Sequence, residues 1–479
     1  MNNEEKQFIE ESLSNGASQH AEGIIEWLDN LVWGPWLILL LLGTGIYLMV
    51  RLRFLPLKNL KWALKCAFGG DKGSGGEGKI SSFSALTTEL ATTLGIGNIV
   101  GVATAMVLGG PGALFWMVVT SIIGLATKLV ESMLSVKYRG RNEKGEMAGG
   151  PMYVCINALP DKRLGKLLGI CFALFAVTAS LGMGNMTQSN SIADALYVSF
   201  GIGKAKTGLF VTVLTILVVL GGIRAIGKVT KVLVPFMGVV YLLGTLGVIL
   251  AHWRNLPEAA MGILVSAFCP GAVSGGIFGT VAVSAFESLR WGVSRGIFSN
   301  EAGLGASGIT AASADTSDYI KQGYISMTGV FLDTVVFCTM TGLALAASGV
   351  IGSVDANGEL LTGTALTLAA FEGTLGSLGG SFISVCIALF AFATVIGWAY
   401  QGERAFEFLM GGQTKYNLAY RFVYGLSAFA GCLCSLEAVW NFSDICNGLM
   451  AVPNLICVLA LSRKACREIH KYGQNKRIV

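Results

Sequence analysis

The chain has 479 residues, of which 53% are hydrophobic and only 13% charged, with 64 glycines and a net charge of +5. Soluble proteins carry about a quarter charged residues. These proportions therefore exclude an ordinary soluble domain, and no basic cluster with interleaved aromatics points to nucleic acid. Apolar runs of about twenty residues recur along the whole chain, so the sequence reads as an all-α polytopic membrane protein.

Residues 1–31 form an acidic leading segment. Within residues 1–30 there are seven acids and one base, Lys6, the reverse of the basic n-region of a signal peptide. Trp27, Trp33 and Trp36 bracket the start of the first span, as interfacial aromatics do. Eleven spans are expected, at about 32–51, 84–109, 112–137, 167–197, 206–223, 232–251, 271–297, 323–348, 379–409, 417–435 and 439–462. Lys and Arg cluster after the first span (Arg51 to Lys79), the third (Lys137 to Lys166), the fifth (Arg224 to Lys231) and the last (Arg463 to Arg477). These segments share the inner side if the N-terminus is outside and the basic tail, 463–479, is inside. Lys204, Lys206 and Arg254 run against this pattern and are outnumbered.

The second span contains "TTLGIGNIVG", residues 92–101. A helix in lipid must satisfy its own backbone, so an unwound turn is tolerated only inside protein or along a cavity. Gly95, Gly97 and Gly101 lower the cost of leaving the helix. The half-helix after such a break aims N–H groups and a positive dipole end at the gap, suited to a carboxylate. The half-helix before it ends in free carbonyls, suited to an ammonium or Na⁺. A second glycine-interrupted stretch, "GAVSGGIFGT" at 271–280, opens the seventh span, five spans later. Paired breaks in matching places point to a transporter with two inverted five-helix repeats, residues 84–251 and 271–462, preceded by one extra helix at 32–51. Close helix packing is the competing use of these glycines.

Charged residues inside spans are costly and either functional or paired. Lys128 and Glu131 stand three apart on the third span and can pair on one helix face. Asp333 lies within the eighth span as a proton or ion carrier or as a hydrogen-bonded structural group. Asp194 lies near an outer end and reads as solvated. Glu287, Arg290 and Glu301 read as gate or loop contacts. The eleven cysteines include no CxxC, and His20, His252 and His470 all fall outside the spans. With no HExxH and no GxSxG either, the chain does not read as an enzyme. The lack of an acidic pore ring argues against a channel.

"TTLGIGNIVGVATAMVLGGPGALFWM" (92–117), "RGIFSNEAGLGASG" (295–308) and "FAFATVIGWAYQGERAFEF" (390–408) closely resemble, in this order, three blocks of the alanine or glycine:cation symporter family. The resemblance implies a leucine-transporter-type fold, 11 transmembrane helices, a plasma-membrane location, and Na⁺-driven uptake of alanine or glycine. An H⁺-coupled symporter of another small neutral amino acid is the alternative. The resemblance also implies a substrate cradle at Thr93, Leu94, Gly95, Ile96, Gly97 and Asn98. The amides of Ile96 and Gly97 and the Asn98 side chain would hold the carboxylate, with Gln188 as a further polar contact. Gly276, Phe278 and Thr280 would lie at the second break, and Thr394 and Trp398 would close the pocket. The implied Na⁺ ligands are the carbonyls of Ala91 and Leu94 with the Thr394 hydroxyl. Ala393 stands where the family often has serine, so one possible hydroxyl ligand is missing.

Overall fold

The computed structural model describes Gly23 and residues 27–69, 78–268, 284–434 and 436–476. The expected break at 271–280, with Gly276, Phe278 and Thr280, lies outside the described residues, as does most of the acidic leading segment. The principal helices are α1 (Pro35–Arg51), α2 (Ser82–Thr93), α3 (Val100–Leu108) and α4 (Ala113–Lys137). They continue with α5 (Lys162–Phe200), α6 (Lys204–Leu220), α7 (Gly222–Ala251), α8 (Ala285–Asn300) and α9 (Ala306–Ala311). The rest are α10 (Tyr319–Ser348), α11 (Ser377–Leu409), α12 (Asn417–Leu433) and α13 (Leu436–Lys476).

Among the described residues, seven helices are long and apolar enough to cross a membrane: α1 extended back to Trp27, α4, α5, α7, α10, α11 and α13. Three of the other expected spans are occupied by shorter or interrupted helices, and the seventh is described only from residue 284. α6 and α12 have 17 residues each, and α2–α3 and α8–α9 are broken.

Several connections that hydropathy left open are also helical, including Leu256–Phe268 and Gly363–Leu375. α7 starts at Gly222, ahead of the expected span, and α13 runs on to Lys476 through the expected basic tail. The reason is common to both. Helix ends can carry Lys and Arg whose stems lie along the protein while their charges reach out to water. Arg224, Lys228 and Lys231 stand exposed on α7 in this way.

Large apolar side chains such as Leu39, Val232, Leu243 and Leu217 are exposed on the outer faces. Lipid is as apolar as leucine, so these gain nothing by packing inward. Helix association instead relies on close approach and buried polar contacts. α4 forms one centre, packed by α1, α8, α9 and α10, while α5 and α11 pack together with α12 and α13 beside them. The two interrupted helices lie between these centres, and their breaks meet there.

Two helices carry π-helical turns where they pass this region: Gly182–Met186 in α5 and Phe331–Cys338 in α10. Such turns, which recur at functional sites, put Gln188 directly after one and Asp333 inside the other.

Candidate functional site

α2 ends at Thr93, and the chain then leaves the helix. Gly95 is extended at φ −120°, ψ −153°, Ile96–Asn98 form a single tight turn, and α3 starts at Val100. An extended φ is open to any residue, so Gly95 is needed for space. A Cβ there would strike the Thr394 hydroxyl and come within 3.1 Å of Gln188 Oε1. A Cβ on Gly97 would sit 3.1 Å from Ser299 Cα, whereas Gly101 has only a carbonyl at 3.8 Å. Gly97 and Gly101 therefore do not form one packing seam.

The turn is held from several sides. Gln188 Oε1 accepts from the Ile96 amide at 3.2 Å. Asn98 Oδ1 accepts from the Gly95 amide at 3.1 Å, and Asn98 Nδ2 donates to Asp333 Oδ1 at 2.7 Å. Ser299 Oγ and Thr334 Oγ1 also donate to Asp333, at 2.9 and 2.8 Å. Asp333 is thus the hydrogen-bonded anchor of Asn98. Thr341 Oγ1 donates to the Asn98 carbonyl at 2.7 Å. Thr394 Oγ1 donates to the Ala91 carbonyl at 2.9 Å, which brings two of the three expected Na⁺ ligands together. The Leu94 carbonyl and the Gly97 amide are among the backbone groups at this break that have no backbone hydrogen bond.

These contacts revise the expected cradle. The Ile96 amide and the Asn98 side chain are engaged by Gln188 and Asp333, and of the expected carboxylate donors only the Gly97 amide is free. Thr93 is buried, and its hydroxyl lies 3.5 Å from the Leu90 carbonyl within its own helix. Trp398 is fully buried, and a Cβ on Gly184 would meet its Cβ and Cγ at 2.5 Å.

A second interruption, not singled out by the sequence reading, lies between α8 and α9. Glu301 adopts φ +56° and Gly303 and Gly305 adopt φ +93° and +83°. The left-handed region is uncommon for a residue with a side chain. Glu301, expected at a gate or loop, lies in the connection between α8 and α9 and is fully buried there. Lys128 and Glu131 are not paired with each other. Lys128 Nζ donates to Ser307 Oγ and to the Asn300 carbonyl, while Glu131 accepts from Asn454. Their side chains reach across to this break rather than along their own helix.

On one side of the site a vestibule of about 590 Å³ is lined by Val100, Thr104, Trp291, Arg295, Thr362 and Leu368, among others. Asp194 lines it too and is paired with Lys204 at 2.6 Å. The Arg295–Asp444 pair, at 2.7 and 3.1 Å, is buried beside it. On the other side the way is shut by ions. Arg404 contacts Glu407 at 3.0 Å, Glu403 at 3.2 Å and Glu146 at 3.5 Å, and Lys79 pairs with Glu146.

Partial burial works to raise the Glu146 carboxyl, but Lys79 and Arg404 prevail and hold it below the usual glutamate range. A depressed folded value means its contribution is present above the ordinary value of about 4.3 and is lost as pH falls through the folded one. Acidification below about pH 4 is therefore expected to loosen this closure. A fluorophore on Ser313→Cys, beside Lys79, should report more solvent in acid. In Glu146→Gln it should do so already at neutral pH. An acid response identical in both proteins would exclude Glu146 as its source.

A membrane protein with two helix breaks meeting between packed helices, a vestibule on one side and an ionic closure on the other, is built as a secondary transporter. The model of the Sodium:alanine symporter family matches residues 18–478, and the chain belongs to that family. Membership makes its work symport rather than catalysis and Na⁺ its coupling ion. It is 47% identical over 457 residues to the sodium/alanine symporter AgcS of Methanococcus maripaludis, covering 94% of this chain and 98% of that one. It is 32% identical over 461 residues to the putative sodium/proton-dependent alanine carrier protein YrbD of Bacillus subtilis, covering 94% and 92%. Its fold is similar to the crystal structure of MhsT in complex with L-phenylalanine, with TM-score 0.58 and 13% identity over 80% of this chain and 89% of that one.

Proposed function

We propose that the chain carries alanine, glycine or both into the cell with Na⁺ by alternating access, through two inverted five-helix repeats preceded by one extra helix, with the N-terminus outside. The observation that carries this reading is the free acceptor and donor at one break. The Leu94 carbonyl and the Gly97 amide stand three residues apart, beside the Thr394 hydroxyl and the Ala91 carbonyl. Hard oxygens suit a hard cation. Ala91, Leu94 and Thr394 would hold Na⁺, and the Gly97 amide would take a substrate carboxylate oxygen. Gln188 Oε1, now on the Ile96 amide, stands where a second carboxylate oxygen would bind, so substrate would displace it.

The membrane potential supplies about 2.3 kcal/mol per charge at 100 mV, and a tenfold Na⁺ gradient about 1.4 kcal/mol. One Na⁺ therefore supports accumulation on the order of several hundredfold. The deciding experiment is uptake of labelled alanine into proteoliposomes with an inward Na⁺ gradient, against K⁺ in its place. Uptake that persists in K⁺ would move the coupling to H⁺.

Selectivity by size needs a wall, since one methylene in a roomy pocket is worth only about 1–3 kcal/mol. Trp398, buried and immobilised against Gly184, supplies it. Trp398→Ala is expected to let leucine or valine compete with alanine. Unchanged competition would remove Trp398 from the pocket wall.

A further inference from the structure

The second break is surrounded by charge that the transport reading does not use. Glu301 at the break and Lys128 and Glu131 on α4 are each at most 2% exposed. Lys128 Nζ is bound by the Asn300 carbonyl and Ser307 Oγ, and Ser307 Oγ donates to Glu301 Oε2 at 2.9 Å. Glu131 Oε2 accepts from Asn454 Nδ2 at 2.9 Å, and the same amide group donates to the Gly303 carbonyl at 2.9 Å. The remaining oxygens, Glu131 Oε1 and Glu301 Oε1, make no well-formed hydrogen bond, with the Gly303 amide near Glu131 and the Trp398 indole near Glu301. Two carboxylates thus face one ammonium, and each keeps one buried oxygen without a well-formed hydrogen bond.

Among the described residues, neighbouring elements place no further cation against these carboxylates, and Arg295 of α8 is paired with Asp444. α2 contributes Glu89, bound to Ser326 of α10 at 2.9 Å, and α10 contributes Asp333 beyond Asn300 and Thr334. α11 contributes Gln401, while Arg404 further along it is taken by Glu146, Glu403 and Glu407. α13 contributes Asn454. α7 packs on α2 but turns Arg224, Lys228 and Lys231 outward. Lys321 lies in the first turn of α10, after Asp318. Even with Glu89 and Asp333 left aside, the group carries one negative charge too many for a site closed to water. A buried charge without a partner is expensive. No group of three metal-ligating side chains occurs among the described residues, and such a carboxylate oxygen needs only a proton.

We propose that Glu301 and Glu131, across Lys128, form a proton-binding site in which one exchangeable proton is held while the second break is packed as seen. Glu301 sits at the left-handed hinge between α8 and α9, so movement of those helices would carry it away from Ser307 and Lys128. The proton would then leave or enter as the hinge moves. This rests on the alternating-access reading for its timing, but not for its existence.

The test uses the full-length purified protein. Infrared spectroscopy at neutral pH should show the carbonyl stretch of a protonated carboxyl, displaced in heavy water. The band should lose one carboxyl's intensity in Glu301→Gln or in Glu131→Gln. Should one variant fold poorly, the other decides the question, read against Glu89→Gln and Asp333→Asn, which should leave this carboxyl's band in place. Absence of the band, or full intensity in both variants and in the double variant, overturns the proposal. In proteoliposomes, net alanine uptake by Glu301→Gln should lose the pH dependence of the parent. A parent that takes up no alanine would defeat the symport reading while the infrared result still stands.

Discussion

Gly95→Ala is expected to abolish alanine uptake, by at least about a hundredfold, in a protein that still folds. A single methyl at this position has nowhere to go. It would strike the Thr394 hydroxyl and stand 3.1 Å from Gln188 Oε1 and 3.3 Å from Thr394 Cβ. Overpacking a tight site costs about 1–3 kcal/mol, which a protein of this size survives. The functional cost is larger because of what must move. Relief requires Thr394 to withdraw from the Ala91 carbonyl, or Gln188 from the Ile96 amide. The first shift would spoil the proposed Na⁺ ligands and the second the proposed carboxylate position. Uptake should fall while thermal unfolding moves by only a few degrees, consistent with about 1–3 kcal/mol. Wild-type uptake from Gly95→Ala would mean that the break is not where substrate and ion bind.

The first break was legible in the sequence because three glycines and an asparagine interrupt an otherwise apolar run, and lipid penalises any such lapse. The break expected at 271–280 lies outside the described residues, and the further interruption at 301–305 is not evident from sequence. "GAVSGGIFGT" is richer in glycine and drew attention to 271–280, whereas Asn300 and Glu301 look like ordinary loop polarity. Only tertiary contact makes the difference. Lys128, 172 residues before Asn300, binds its carbonyl. Glu89 is a carboxylate inside a span, which signals function or pairing from sequence alone. The Lys128–Glu131 spacing suggested a local pair, because an i, i+3 interval places two side chains on one face. That interval says nothing about a competing partner. Here Ser307, Asn300 and Asn454 from distant segments claim both groups. The same limit applies to Asn98. Its residue type marked a polar contact, but Asp333, supplied by a π-helical turn 235 residues later, decides which one.

Asp333→Asn is the sharpest probe of that arrangement. Three donors converge on the Asp333 carboxylate: Asn98 Nδ2 at 2.7 Å, Thr334 Oγ1 at 2.8 Å and Ser299 Oγ at 2.9 Å. A carboxylate offers only acceptors and can take all three. An amide of the same shape can keep its oxygen on Asn98 only by turning its Nδ2 to the Ser299 and Thr334 hydroxyls, which must then accept instead of donate. Hydrogen bonds to a charged acceptor are worth about 1.5–3 kcal/mol each. Asn98 would exchange a charged acceptor for a neutral one, which weakens the contact that fixes its Oδ1 on the Gly95 amide. A loss of about 3 kcal/mol corresponds to roughly a hundredfold in apparent affinity for alanine. Because Asp333 acts through Asn98, the loss should appear mainly as a raised KM for alanine, with the Na⁺ requirement retained at Thr394. Asp333→Asn with unchanged KM but lost Na⁺ dependence would instead place Asp333 among the ion ligands. Alanine uptake unaffected in both respects would show that Asn98 holds its place without it.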